Sequence, residues 1–270
     1  MVKRKWFFYS KMNLQIELTN ICNFDCIYCP RPLLNRKPEY MKLEIFKKIY
    51  DIFKSDIRGI IINKDGEPFL HNNIKEIIEY IEPNKIIRIP TNGVFMNNDI
   101  VDFLISRQNK IKLVLTEHIL GRKPQEEIVI KTSRKNAEYL INKRKNNITI
   151  QIIKNYINGK DNQEKDFINF YTNLGIKPKI NKDIDMWCDS IHFNNNQKRK
   201  KCRSGHKQVL MIGVTGNMLL CCNDLNEEYI IGNVLEENKI ELMKKRDIIF
   251  NRINIGDWDD IKPCNRCLRR

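Results

Sequence analysis

Residues 22–29 are Cys-Asn-Phe-Asp-Cys-Ile-Tyr-Cys, and they follow a strand-like run, Leu14-Gln15-Ile16-Glu17-Leu18. Three thiolates closely spaced on one loop can bind three irons of a 4Fe-4S cube, which leaves the fourth iron without a protein ligand. The alternatives are a structural zinc site or a set of buried thiols. Zinc usually takes four ligands, commonly as two separated pairs, and no fourth cysteine or histidine lies close to Cys22, Cys26 and Cys29. The stretch therefore favours a cluster with an open iron, where chemistry can take place.

This Cys-x3-Cys-x2-Cys spacing, with an aromatic residue directly before the last cysteine, resembles the signature loop of the radical S-adenosylmethionine (radical SAM) enzymes. In that family the open iron binds the amino and carboxylate groups of SAM, and an electron from the cluster breaks a C–S bond to give a 5′-deoxyadenosyl radical. The resemblance implies that Cys22, Cys26 and Cys29 are cluster ligands and that Tyr28 lies against the adenine. It also implies an external electron donor such as flavodoxin or ferredoxin.

From Leu14 to about Lys182 the chain alternates strand-like apolar runs with amphipathic stretches, which is typical of repeated βα units and a parallel sheet. The predicted strands are Leu14 to Leu18, Gly59 to Asn63, Ile86 to Pro90, Ile111 to Thr116, Ile148 to Ile153 and Lys177 to Ile180. The predicted helices are Lys42 to Lys54, Ile74 to Tyr80, Ile100 to Ser106, Arg134 to Lys143 and Lys165 to Leu174. About six units are fewer than the eight of a closed TIM barrel, and the family resemblance implies an α/β fold with a partial (β/α)6 TIM-type barrel.

Two turn motifs follow successive predicted strands. Asp65-Gly66-Glu67-Pro68 resembles the family's GGEP loop, which contacts the methionine amino group, although Asp65 replaces the first glycine. That replacement matters if the position needs a positive φ, because such a conformation is most favourable for glycine. Thr91-Asn92-Gly93 resembles the TNG sequence on the ribose side of the cofactor. The resemblance thus implies that Gly66, Glu67, Thr91, Asn92 and Gly93 bind SAM.

A second set of cysteines occupies the C-terminal segment. Cys202 precedes a predicted hairpin that ends at Cys221, an Ile-Gly-Asn run and a helical stretch over 239–252 follow, and Cys264-Asn265-Arg266-Cys267 comes last. This layout resembles the auxiliary-cluster region of the SPASM/twitch branch of radical SAM enzymes. The resemblance implies one auxiliary 4Fe-4S cluster held by Cys202, Cys221, Cys264 and Cys267. In isolation the segment suits a zinc ribbon equally well.

The two cysteine sets divide the chain into two predicted domains. Residues 1–190 form the radical SAM partial barrel, and residues 191–270 form a small C-terminal α+β domain of the twitch/SPASM type. Cys188 and Cys222 are left without a predicted role, and buried thiols are the default interpretation for both.

Composition restricts the cellular setting and the partners. No apolar stretch approaches the length of a membrane span. Nine cysteines in such a chain indicate metal or redox chemistry rather than disulfides, because the cytoplasm keeps thiols reduced. The formal charge of +15 predicts a mild preference for anionic substrates. It also allows a nucleic-acid-binding protein with structural metal, but aromatic residues are not interleaved with the basic ones as base stacking requires.

Two enzymatic hypotheses remain. The leading one is hydrogen abstraction from a small polar molecule, a sugar or an aminocyclitol-like alcohol, with the auxiliary cluster accepting an electron during oxidation. Glu117 and His118, at the end of the strand predicted over 111–116, are the candidate acid/base or substrate-binding groups; an ordinary charged loop is the alternative. The second hypothesis is modification of a ribosomally made peptide. It ranks lower because such enzymes usually carry an extra N-terminal recognition domain, and only about a dozen residues precede the first predicted strand here.

Overall fold

The computed structural model describes residues 12–26, 28–117, 126–155, 164–181 and 208–267. Six parallel strands alternate with five helices through most of this chain. The strands are β1 (Met12–Ile16), β2 (Ile57–Ile62), β3 (Ile86–Thr91), β4 (Lys110–Glu117), β5 (Ile148–Asn155) and β6 (Lys179–Asn181). The helices are α1 (Leu43–Phe53), α2 (Ile74–Tyr80), α3 (Asn98–Ser106), α4 (Glu126–Lys143) and α5 (Glu164–Asn173).

The fold prediction is confirmed. β1 to β6 pair in sequence order as parallel neighbours, which gives the partial TIM-type barrel. These strands are rich in isoleucine and leucine because helices cover the outer face of the sheet. The main apolar core lies between the sheet and the helices, with Phe46 of α1, Ile60 of β2 and Leu115 of β4 all but fully buried.

The C-terminal segment extends the same sheet. β7 (Val209–Ile212) pairs with β1 in parallel, and β8 (Asn217–Leu219) and β9 (Ile230–Asn233) follow as antiparallel neighbours. The last helix is α6 (Lys239–Ile255), which ends at Gly256 in a left-handed conformation with φ of 87°. The strand order is therefore β6-β5-β4-β3-β2-β1-β7-β8-β9. β1 of the first predicted domain is thus paired directly with β7 of the second. The predicted boundary after residue 190 falls outside the described residues.

No helix in the described part of the chain is long and apolar enough to cross a membrane.

Candidate active site

A cavity of about 390 Å³ lies at the carboxyl ends of the parallel strands, where barrel enzymes place their active sites. Its wall is built from the loops after β1, β2 and β3, from the ends of β4, β5 and β6, and from the loop after β8. The lining residues are Cys22, Phe24, Cys26, Tyr28, Cys29, Asn63, Lys64, Asp65, Gly66, Glu67, Pro90, Thr91, Asn92, Thr116, Asn155, Asn181, Cys222 and Asn223.

The three N-terminal cysteines lie together on this wall. The Phe24 amide donates to Cys22 Sγ at 3.4 Å, and the Cys29 amide donates to the Cys26 carbonyl at 3.0 Å. Burial raises the pKa of Cys22 to about 11 and raises the pKa of Cys26 further, with Cys29 and Cys22 adding to the effect on Cys26. These thiols must therefore lose protons when they bind metal, as thiolate ligands do.

Gly66 allows the loop after β2 to lie against the chain that enters the cysteine loop. A Cβ at this position would come within 2.4 Å of the Thr19 carbonyl oxygen and within 2.6 Å of the Ile21 carbonyl oxygen. The neighbouring Glu67 amide donates to the same Ile21 oxygen at 2.9 Å. The need for glycine here is thus steric.

Glu67 joins the loops after β2 and β3. Its carboxylate is buried, accepts from Thr91 Oγ1 at 2.7 Å and from the Asn92 amide at 2.9 Å, and caps the turn at the Phe69 amide at 3.2 Å. Burial raises the pKa of Glu67 to about 7, although these donors oppose the shift. Gly93 follows with φ of 80°, which fits the preference of glycine for left-handed turns.

Asn92 also connects to the cysteine loop, because its Nδ2 donates to Asn23 Oδ1 at 2.9 Å. The structure therefore brings together the three motifs that the sequence places after β1, β2 and β3. Tyr28 extends the contacts across the barrel: its hydroxyl hydrogen-bonds Asn155 at the end of β5, and Asn181 Nδ2 at the end of β6 donates to Asn155 Oδ1 at 3.1 Å.

Asp65 does not adopt the positive φ that would favour glycine at this position. The left-handed backbone conformations of the described residues fall at other positions, namely four glycines and Glu227. The Asp65 carboxylate instead contacts Lys64 and accepts from Arg36 Nη2 at 2.9 Å. The Asp65 side chain is therefore paired with Arg36, on the segment after the cysteine loop.

Those contacts belong to a buried ion cluster of Glu17, Arg36, Lys64, Asp65 and Glu227. Arg36 donates to both oxygens of Glu17, at 2.8 and 2.9 Å, and to Glu227 Oε1 at 2.9 Å. Burial would raise the pKa of Glu17, but Arg36 and Lys64 outweigh it and hold that pKa below its usual value. Burial raises the pKa of Asp65 to about 7 despite the attraction of Lys64, and the nearby Glu17 carboxylate adds to the increase. The sequence analysis missed this cluster.

Glu117, predicted as an acid/base group, does not reach the cavity. It is buried as the last residue of β4, where Arg134 Nε and Nη2 donate to its two oxygens at 2.9 and 3.0 Å and Lys154 Nζ lies 3.5 Å away. Side chains alternate along a strand, so Glu117 shares the core-facing side with Leu115, while Thr116 lines the cavity. His118 lies outside the described residues.

The described C-terminal cysteines lie beside β8. Leu220, directly before Cys221, packs in one small apolar cluster with Cys264. The Cys267 amide donates to the Cys264 carbonyl at 3.3 Å, and Cys202 lies outside the described residues. No three His, Cys, Asp or Glu side chains within the described ranges are grouped for a single metal ion. Cluster ligands need not converge in this way, because each thiolate of a cube binds a different iron.

Comparison with known family models identifies one domain of the chain. Residues 16–115 match the model of the radical SAM superfamily, so the chain carries a radical SAM domain. Members of this family are enzymes that use a 4Fe-4S cluster and SAM, and the N-terminal thiols and the loops around them fit that pair of cofactors. The prediction of a radical SAM domain is thereby confirmed.

Curated relatives match the N-terminal part of the barrel. The chain is 31% identical over 109 residues to the antilisterial bacteriocin subtilosin biosynthesis protein AlbA of Bacillus subtilis strain 168, a match that covers 38% of this chain and 23% of AlbA. It is 32% identical over 109 residues to GTP 3′,8-cyclase of Desulforamulus reducens, which covers 38% of this chain and 33% of the cyclase. The matched region therefore spans a third or less of either relative.

Solved structures match over almost the whole chain. BtrN in complex with AdoMet and 2-DOIA has a TM-score of 0.66 and 19% identity, and the match covers 96% of this chain and 93% of BtrN. Streptococcus suis SuiB bound to precursor peptide SuiA has a TM-score of 0.62 and 15% identity, with 95% of this chain and 69% of SuiB covered. At these identities the likeness establishes a shared fold.

Proposed function

We propose that this enzyme oxidises a small polar molecule, a sugar or an aminocyclitol-like alcohol, through hydrogen abstraction at carbon. When bound, the reduced cluster and SAM supply the 5′-deoxyadenosyl radical that abstracts the hydrogen. The observation that carries the proposal is the cavity itself. One wall holds the cysteine loop and the motifs after β2 and β3, and the remaining wall is formed largely by neutral polar side chains.

Within this proposal, Cys22, Cys26 and Cys29 bind the SAM-cleaving cluster. Gly66, Glu67, Thr91, Asn92 and Gly93 form the SAM-binding surface, and Tyr28 lies against the adenine. The hydrogen bonds of Glu67 to Thr91 and Asn92 support this assignment, because they fix the two loops relative to one another. A preformed surface loses little conformational freedom on binding.

We assign the auxiliary cluster to Cys202, Cys221, Cys264 and Cys267. Leu220 and Cys264 belong to one small apolar cluster, which supports this assignment because Cys221 directly follows Leu220. A cluster at this position, beside a loop that lines the cavity, would accept the electron that an alcohol substrate loses on oxidation. A flavodoxin or ferredoxin would supply the electron for SAM cleavage.

The neutral polar residues that line the rest of the cavity favour a small uncharged substrate over the anionic one that the net charge predicts. Thr116, Asn155 and Asn181 present hydroxyl and amide groups there, which match the hydrogen-bonding groups of a polyol. The fold shared with BtrN over nearly all of both chains, and the 2-DOIA bound in that protein, favour the same substrate class.

Peptide modification is the second candidate. The fold shared with SuiB bound to its precursor peptide and the sequence match to AlbA favour it. A pulldown of a short precursor peptide encoded beside this chain would support the second candidate over the first.

The experiment is anaerobic incubation of reconstituted enzyme with SAM, dithionite and uniformly deuterated polyols. We expect 5′-deoxyadenosine that carries deuterium, and a product that has lost one carbon-bound deuterium to it and one hydroxyl proton to the solvent. Deuterium-free 5′-deoxyadenosine with every polyol, together with deuterium transfer from a labelled precursor peptide, would contradict the proposal. The Cys26→Ala variant is the control, because it should lose SAM cleavage while the rest of the cavity is unchanged.

A further inference from the structure

Helix α4 carries polar side chains on its buried face. Ser133 and Asn136 are only 3% and 8% exposed, although the nearby Ala137 and Leu140 belong to the apolar core. Burying a hydroxyl or an amide group costs free energy unless that group is hydrogen-bonded. Two such residues on the core side of one helix therefore indicate a specific partner for each.

Their partners are carbonyl groups of the turn after β3. Ser133 Oγ donates to the Asn92 carbonyl oxygen at 2.7 Å. Asn136 Nδ2 donates to the carbonyl oxygens of Gly93 and Val94 at 2.9 Å each, so both protons of this amide are used. Three consecutive carbonyl groups of the turn are thus fixed from α4, by two residues that do not line the cavity.

The same face of α4 also reaches the cysteine loop. Val129, Ser133 and Asn136 are spaced by four and three residues, so they lie on one face of the helix. Val129 packs against the small apolar cluster around Cys26, and so does Val94. Because Asn136 fixes the Val94 carbonyl, its hydrogen bonds also help to place Val94 against the cysteine loop.

The turn lies between α4 and the cavity. Gly93 has a φ of 80°, and a Cβ there would come within 2.8 Å of Ser133 Oγ and 2.6 Å of Leu115 Cδ1. Asn92 lines the cavity, and its Nδ2 donates to Asn23 Oδ1 in the cysteine loop at 2.9 Å. A shift of the turn away from α4 would therefore move Asn92 relative to the cysteine loop.

We propose that Asn136 and Ser133 are positioning residues for SAM, which act through the turn over 91–94 without touching the cofactor. This inference rests on the proposed function and deepens it, because it names the groups outside the cavity that set the shape of the SAM-binding surface. The alternative is that the two residues only satisfy buried carbonyl groups. In that case their loss would lower the stability and leave the affinity for SAM unchanged.

The test measures the Kd of SAM for the reconstituted, oxidised enzyme by isothermal titration calorimetry, without reductant, so that no SAM is cleaved. Asn136→Leu keeps a similar volume and removes both donors. We expect it to raise the Kd about tenfold, the equivalent of about 1.4 kcal/mol. Ser133→Ala removes one donor and should raise the Kd by a smaller factor. Both variants should keep the wild-type iron content, because neither change removes a cysteine.

Asn142→Leu is the matched control, because it makes the same change at an exposed position of α4 and should keep the wild-type Kd. The thermal midpoint of each variant is measured in parallel, which separates a loss of stability from a loss of affinity in the folded protein. If Asn136→Leu does not assemble clusters, Ser133→Ala carries the test.

A wild-type Kd in the folded Asn136→Leu and Ser133→Ala proteins would overturn the inference, whatever their thermal midpoints. This result differs from a failure of the proposed function. If the wild type itself does not bind SAM, the assigned SAM-binding surface is refuted. If the wild type binds SAM and both variants bind it equally well, the role of α4 alone is refuted. The measurement contains no substrate, so it does not depend on whether a polyol or a peptide is modified.

Discussion

The loop after β2 and the cysteine loop approach each other most closely at Gly66. We expect Gly66→Ala to separate the loop after β2 from the cysteine loop, because the new Cβ would collide with two carbonyl oxygens that belong to the backbone. Iron in the reconstituted protein should fall by about half, the share of one of two 4Fe-4S clusters. Iron and sulfide analysis measures this loss.

Gly175→Ala is the control for that variant. Gly175 also has a positive φ, 73°, but a Cβ there meets nothing within 4 Å. Alanine at this position should cost about 1 kcal/mol through backbone strain and leave the iron content unchanged. Full iron content in Gly66→Ala would show that the close approach is not needed for cluster binding.

The lowered pKa of Glu17 predicts how the free energy of unfolding depends on pH. Its pKa in the folded protein lies below the usual 4.5, so its contribution is present above pH 4.5 and is lost as the pH falls through the lowered value. Glu17→Gln should therefore reduce the free energy of unfolding by about 3 kcal/mol at pH 7, since it leaves Arg36 with an incomplete buried partner. The difference from the wild type should shrink as the pH falls below about 4.5.

Denaturant unfolding at several pH values measures that difference. Glu138→Gln, at an exposed position on α4, is the control and should match the wild type at every pH. A difference between Glu17→Gln and the wild type that stays constant, or grows, as the pH falls would contradict the assigned direction of the Glu17 pKa.

At this scale local sequence identifies the motif residues, which the structure brings onto one cavity wall, but it does not reveal the surroundings of the charged residues. Cys22, Gly66, Glu67 and Asn92 are recognisable because spacing and turn chemistry are local properties. Glu117 is a contrasting case, because side-chain alternation along β4 places Thr116 in the cavity wall and Glu117 on the core-facing side. The partners of Glu17 lie far along the chain, so no local pattern could reveal them.

At the scale of elements, Arg36 connects segments that are distant in sequence. Its guanidinium binds Glu17 after β1, Asp65 after β2, and Glu227 in the loop between β8 and β9. Arg36→Lys should weaken all three contacts, because a single ammonium cannot reproduce the fan of guanidinium donors. We expect faster amide hydrogen exchange in residues 221–229, the loop that carries Asn223.

Hydrogen exchange with peptide-level resolution measures this effect. Arg58→Lys is the matched control. Arg58 is exposed, and its Nε donates to Asn13 Oδ1 at 3.2 Å, away from the buried ion cluster. Wild-type protection of residues 221–229 in Arg36→Lys would show that the buried ion cluster does not hold this loop.

Local periodicity predicts the elements because hydrophobic spacing and turn residues determine them. The helix over 74–80 is found as predicted, and α3 and α5 agree with their predictions to within about two residues. By contrast, α4 begins eight residues before the predicted Arg134, because its first turns are largely polar or exposed and carry no core-facing signal. The pairing of β7 with β1 was not predicted, since register between distant strands leaves no local pattern.

At the scale of the whole molecule, that pairing predicts that the two predicted domains do not fold independently. Ending the chain at residue 207 would expose the edge of β1, including the apolar residues Leu14 and Ile16, which lie opposite Leu210 and Ile212 of β7. An exposed apolar strand edge promotes aggregation. We therefore expect the shortened protein to be insoluble or to lack a cooperative thermal transition by circular dichroism.

A chain that ends at residue 267 is the control for that deletion, because it keeps all nine strands and both cysteines of the terminal Cys-x2-Cys motif. A soluble, cooperatively unfolding protein of residues 1–207 would instead support two independent domains.

The central claim is that Cys22, Cys26 and Cys29 hold a cluster that cleaves SAM. The most direct measurement combines Mössbauer quantification of iron with assay of 5′-deoxyadenosine on the same anaerobically reconstituted protein. The wild type should hold about eight irons in two cubes and release 5′-deoxyadenosine, Cys26→Ala should lose one cube and the cleavage, and Cys222→Ala should keep both cubes. Wild-type protein with no cube at the N-terminal cysteines, or Cys26→Ala that cleaves SAM at the wild-type rate, would contradict the account.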